Sequence, residues 1–146
     1  MAKRLIHTEI DIAAAPAAVW RVLTDFAGMS DWNPFMTSVT GALAEGARLA
    51  VTVAPPGRSA MSFTPTIQVV RPEVELRWFG SAPIPGIFNG EHFFQLAPRA
   101  DGGTRFTHGE QFSGLLVGFM GAMLDATELG FKAMNAALKA KAEGSA

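Results

Sequence analysis

Apolar and polar residues alternate at the start of the chain. Ile6, Thr8, Ile10 and Ile12 fall on one face and His7, Glu9 and Asp11 on the other, the period of a half-buried strand. Pro16 suits the first position of a helix, where its missing N–H is no loss. Val19, Leu23 and Phe26 then form one apolar stripe that Gly28 ends. A short turn, Met29–Trp32, follows, and Pro34 holds Asn33 out of helical geometry. From Met36 onward the pattern predicts strands at Met36–Thr40, Arg48–Val53, Ser62–Val70, Glu73–Phe79, Phe88–Leu96 and Thr104–Phe112. Gly41 and Gly46, Pro55-Pro56-Gly57, Arg71-Pro72, Pro83–Gly86 and Asp101-Gly102-Gly103 punctuate them. Short turns between consecutive strands predict an antiparallel meander, with Pro65 marking an edge or a bulge. The period then changes. Leu116, Met120, Met123, Thr127, Phe131, Met134 and Leu138 lie on one helical face, predicting a helix over Leu115–Lys141 about 40 Å long.

This order has a geometric consequence. Seven strands about 4.8 Å apart make a sheet over about 30 Å wide, whereas a helix is only about 10–12 Å across. The sheet must curl around the helix, and what lies between is bulky side chains or a cavity. Gly114, Gly118, Gly121 and Ala122 leave the start of the helix short of bulk, which favours a cavity.

Composition narrows the class. The 146 residues suit one domain, expected to span residues 1–146, and 49% hydrophobic with 17% charged residues excludes a disordered chain. Twelve basic against 13 acidic residues leave no positive surplus for nucleic acid. The absence of cysteine removes disulfides, thiolate metal sites and cysteine nucleophiles. The longest apolar run, Leu115–Leu124, has ten residues where a spanning helix needs about 20. Polar residues interrupt the N-terminal segment where an export signal would be apolar. A soluble, cytoplasmic protein is expected.

Several segments in order resemble one group of proteins. Ala15-Pro16 with Val19-Trp20, then Trp32-Asn33-Pro34, are similar to the entry segment of the SRPBCC superfamily, the helix-grip group of START-related lipid carriers and polyketide cyclase/dehydrase proteins. Leu76-Arg77-Trp78 with Gly80, Pro85-Gly86, and the run from Gly90 to Pro98 continue the likeness. Gly103-Thr104, Thr107–Glu110, Phe112-Ser113-Gly114 and the segment from Asn135 to Lys139 complete it. The resemblance implies an α+β helix-grip fold: a curved antiparallel sheet of about seven strands around a long C-terminal helix, with two short helices after the first strand. It also implies an apolar ligand (lipid, polyketide or aromatic metabolite). A polyketide cyclase/dehydrase activity and a co-chaperone-like adaptor role are the alternatives within the superfamily. The plant allergen branch carries a glycine-rich loop between its second and third strands; Leu43–Arg48 has only Gly46, which sets this chain apart from it. With no tyrosine, a mechanism using a tyrosine hydroxyl is excluded.

Candidate chemistry gathers on the two strands before the long helix. Gly90, His92, Phe94 and Leu96 share one face, as do Thr104, Phe106, His108, Glu110 and Phe112. A hairpin turning about Ala100 would place Leu96 opposite Thr104, Phe94 opposite Phe106, His92 opposite His108 and Gly90 opposite Glu110. Because Phe94, Leu96, Phe106 and Phe112 make this the more apolar face, it should point inward, bringing two imidazoles and a carboxyl onto an apolar wall. His92, His108 and Glu110 are therefore candidates for orienting a ligand's polar group or for acid/base work. Trp32, Phe35, Trp78, Phe94, Phe106, Met120, Met123 and Phe131 are candidate apolar contacts, the methionines being adaptable ones. No compact metal-ligand spacing and no nucleotide or phosphate fingerprint appears, so neither metal nor organic cofactor is expected. Ile84 and Ile87 on the Pro83–Gly86 loop, with the Leu115–Leu124 run, would suit a lid or a transient contact with a membrane or partner.

Overall fold

In the computed structural model, which describes residues 2–84 and 86–144, the opening alternation is realised as β1 (Lys3–Ile12), with Ile6, Thr8 and Ile12 buried and His7 and Glu9 exposed. Pro16 begins α1 (Pro16–Thr24), whose Val19 and Leu23 face the core. A 3₁₀ turn, Phe26–Gly28, and the single turn α2 (Met29–Trp32) lead to Asn33. There follow β2 (Met36–Thr40), β3 (Ala50–Val53), β4 (Met61–Phe63), β5 (Thr66–Arg71), β6 (Glu75–Ser81), β7 (Asn89–Pro98) and β8 (Thr104–Ser113). A 3₁₀ turn at Val117–Phe119 precedes α3 (Gly121–Gly144), about 36 Å long at 1.5 Å per residue.

Among the described residues eight strands, one more than the pattern suggests, divide between two antiparallel sheets. One has the order β1-β8-β7-β6-β5 and the other β2-β3-β4. The extra strand comes from splitting the expected Ser62–Val70 strand at Thr64-Pro65. Proline has no N–H for the ladder, so β4 ends before it and β5 starts after it. Residues 46–49 stitch the two sheets together: Leu49 N–H donates to Pro65 O (2.9 Å) and Ile67 N–H to Ala47 O (2.9 Å). The expected single sheet is therefore divided into two at this point.

The helix starts later than expected, because Leu115 and Leu116 are held by backbone bonds to Gly86 O and Ile87 O (3.0 Å each). Its inner face, Leu124, Phe131, Met134 and Leu138, joins Ile6, Leu23, Leu76, Phe94 and Phe106 in one core. Gly130 is required there: a Cβ at that position would lie 2.2 Å from Phe35 Cδ1. Among the described residues no helix is long and apolar enough to cross a membrane. Of the expected Pro83–Gly86 loop, Pro85 lies outside the described residues. Ile84, Leu115, Leu116 and Phe119 are exposed, so the start of the Leu115–Leu124 run is not buried.

Candidate functional site

Between α3 and the two sheets lies an open cavity of about 660 Å³. Val51 and Val53 on β3, Met61 and Phe63 on β4, Trp78 on β6, Phe88, Phe112 on β8, and Met120, Met123 and Leu124 give it a mainly apolar wall. Phe35 is aimed at it by a local device. The Asn33 side-chain oxygen accepts from the N–H groups of Phe35 and Met36 (2.9 Å each), and its amide donates to Met29 Sδ (3.3 Å). Only two side chains on the wall are ionisable, His92 and Glu110; no lysine or arginine lines the cavity among the described residues.

The hairpin that carries them differs from expectation in register. It turns about Asp101, whose carboxylate accepts from Gly103 N–H (2.9 Å), rather than about Ala100. Leu96 consequently faces Phe106, Phe94 faces His108, His92 faces Glu110 and Gly90 faces Phe112. The displacement is two residues, so every side chain stays on its expected face. His92 and His108 still meet, diagonally across the ladder.

The three groups form one hydrogen-bonded chain. Glu110 Oε1 lies 3.0 Å from His92 Nδ1, and His92 Nε2 lies 2.7 Å from His108 Nε2. His108 Nδ1 is 2.9 Å from Asn135 Oδ1, Asn135 Nδ2 donates to Thr8 Oγ1 (2.8 Å), and Thr8 Oγ1 donates to the His108 carbonyl (2.7 Å). His92 and His108 are buried, and the Glu110 side chain retains only 12% exposure. Burial disfavours charge, pushing His92 down to about 3 and Glu110 up to about 8. His108 is lowered well below the usual imidazole value, first by burial and then by the neighbouring His92. Near pH 7 all three groups are therefore neutral. Gly90 makes room for the carboxyl, since a Cβ there would sit 2.2 Å from Glu110 Oε2.

Of the residues singled out from sequence, Phe35, Trp78, His92, Glu110, Met120 and Met123 meet at the cavity. His108 stands behind the wall, stacked on Phe131 at 4.0 Å between ring centroids and 9° between planes. Phe94 and Phe106 are core residues beside it, and Trp32 packs half-buried at the periphery. Sequence reasoning missed the roles of Thr8 and Asn135. Each is a polar residue on an otherwise apolar stripe, between Ile6 and Ile10 and between Phe131 and Leu138, and that was the available signal. Among the described residues Trp78 Nε1 is buried with no hydrogen-bond partner. Among the described residues no group of three or more His, Cys, Asp or Glu side chains is arranged to hold a metal ion.

The family model described as polyketide cyclase/dehydrase and lipid transport matches residues 3–143. No curated protein matches the chain in sequence. Among solved structures it is similar to the Zhui aromatase/cyclase from Streptomyces sp. R1128, with a TM-score of 0.79 at 19% identity over 97% of this chain and 94% of that one. A START superfamily protein from Mycobacterium smegmatis gives a TM-score of 0.75 at 16% identity over 97% and 99%. Norcoclaurine synthase from Thalictrum flavum, a point mutant in complex with a transition state analogue, gives 0.73 at 14% over 97% and 94%. At such identities the likeness is one of fold, the helix-grip arrangement of sheet and C-terminal helix.

Proposed function

The chain belongs to the polyketide cyclase/dehydrase and lipid transport family, and on that premise we propose that it binds one apolar small molecule, lipid-like, polyketide-like or aromatic, in the cavity between α3 and the sheets. The observation that carries this reading is the cavity itself. Its volume of about 660 Å³ and mainly apolar wall are those of a small-molecule site. Glu110 and His92 orient the ligand's polar group. With no lysine or arginine on the wall among the described residues, an anionic group at depth is disfavoured.

Titration with the neutral fluorophore Nile red tests this. Saturable binding of one molecule per chain is expected, abolished by Thr127→Trp, which projects a large side chain from α3 into the cavity. Absence of saturable binding, or binding indifferent to that substitution, overturns it. Native mass spectrometry of freshly purified protein, followed by organic extraction, would then name the chemical class of a ligand carried through purification.

A second reading, a cyclase/dehydrase-type enzyme, is favoured by the Glu110–His92–His108 chain. A ligand proton accepted at Glu110 Oε2 would displace the Oε1 proton to His92 Nδ1 and the His92 Nε2 proton to His108 Nε2, so that the positive charge comes to rest on His108, behind the wall. Retained Nile red binding with loss of turnover in His92→Ala marks an enzyme. An adaptor docking through the Pro83–Gly86 loop would need no such cavity.

A further inference from the structure

The hydrogen bonds behind the cavity wall have only one consistent direction. A backbone carbonyl can only accept, so Thr8 Oγ1 spends its single proton on His108 O. The hydroxyl oxygen is then the acceptor for the Asn135 amide, which turns Asn135 Oδ1 toward His108. His108 Nδ1 must carry a hydrogen to meet that oxygen. A neutral His108 therefore has a lone pair on Nε2, and His92 Nε2 must donate to it. A neutral His92 then has its lone pair on Nδ1, facing Glu110 Oε1, and that contact needs the carboxyl proton on Oε1. Three gaps hold three protons. The remaining carboxyl oxygen, Oε2, beside Gly90 on the cavity wall, is left with lone pairs only.

We infer that Thr8 and Asn135, neither of which lines the cavity, fix the proton direction along His108, His92 and Glu110 so that the wall presents a hydrogen-bond acceptor, selecting an apolar ligand that carries a hydroxyl (an alcohol, a phenol or an enol) over one whose polar group only accepts. This rests on the small-molecule reading above and deepens it. Thr8 and Asn135 are positioning residues, acting on the ligand through three other side chains. Their removal has a predictable sense. Without the Asn135 oxygen, His108 is released to carry its proton on Nε2 and donate to His92. His92 then donates from Nδ1 to Glu110, and the carboxyl proton moves to Oε2, pointing at the ligand. The same wall becomes a donor.

Three probes of one ring system separate these states: 2-naphthol (donor), 2-methoxynaphthalene (weak acceptor) and 2-acetonaphthone (carbonyl acceptor). Wild-type protein is expected to bind 2-naphthol about 3- to 10-fold more tightly than either of the others, the effect of one hydrogen bond. Thr8→Ser keeps the hydroxyl and the preference. Thr8→Val, of nearly the same shape, levels it, and Asn135→Leu inverts it toward 2-acetonaphthone. Nile red affinity stays within about twofold in each, showing that the cavity is intact. A wild-type protein that binds the three probes equally, or prefers the ketone, overturns the inference while saturable Nile red binding leaves the cavity reading standing. Retention of the naphthol preference in both Thr8→Val and Asn135→Leu also overturns it. If wild-type protein binds neither Nile red nor any naphthalene, the cavity reading fails, and the inference with it.

Discussion

Replacing Glu110 by glutamine should change how stability depends on pH in a way that isolates one proton. Glu110 is held in the native state by burial with its affinity for a proton raised from 4.5 to about 8, and among the described residues His92 is the only other ionisable side chain on the cavity wall. A carboxyl with a raised native pKa contributes stability that is complete below its unfolded value and is lost as pH rises through the native value. The difference of 3.5 units at 1.36 kcal/mol each amounts to about 5 kcal/mol lost between pH 4.5 and 8. His92 acts in the opposite sense. Lowered from 6.5 to about 3, it contributes stability that is complete above 6.5 and disappears as pH falls toward 3, and His108 shifts in the same direction. The wild-type protein should therefore be most stable near pH 6.5. Above that the imidazoles contribute no slope, and the Glu110 loss alone remains, about 2 kcal/mol up to pH 8. Glutamine can occupy the same place without titrating, its amide donating to His92 Nδ1 as the carboxylic acid does. Urea unfolding at fixed pH values from 5 to 9 reads the difference. The wild-type curve should descend relative to Glu110→Gln throughout pH 5–8, by about 4 kcal/mol in total, and run parallel above that. Curves parallel throughout pH 5–9 would show Glu110 already ionised in the native protein, refuting the neutral three-proton chain.

Other substitutions follow from the packing. Phe131→Ala removes a fully buried ring that stacks on His108 and meets Phe35 edge-on at 5.4 Å, and should cost about 3–5 kcal/mol in urea unfolding. Gly130→Ala favours the helix by about 1 kcal/mol in propensity, yet the clash with Phe35 should outweigh this and give a net loss of about 1–3 kcal/mol. Gly90→Ala pushes the Glu110 carboxyl from its place, so 2-naphthol affinity should fall toward that of 2-methoxynaphthalene in the same fluorescence titration. A Gly90→Ala protein that still prefers 2-naphthol would show that the carboxyl is not the group contacted.

The elements and their facing were written in local pattern. Alternation at Ile6–Ile12, the stripe from Met120 to Leu138 and the breaks at Gly28 and Asp101–Gly103 depend on neighbours a few residues away, so β1, β7, β8 and most of α3 could be placed from sequence. The inward facing of His92, His108 and Glu110 followed from period two and the apolar Phe94, Leu96, Phe106 and Phe112 on the same face, and survived a misplaced turn because a shift of two residues preserves the face. What the chain could not disclose locally depends on contacts far apart in sequence. The division into two sheets was decided by residues 46–49 meeting 65–67. The wiring of the polar chain needs β1, β7, β8 and α3 assembled together: Thr8 lies 127 residues from Asn135, and neither touches the cavity. Sequence determined which groups could face inward. Only the packed structure decided the order in which they donate and accept, because hydrogen-bond direction is set by the last fixed partner, here a backbone carbonyl on β8.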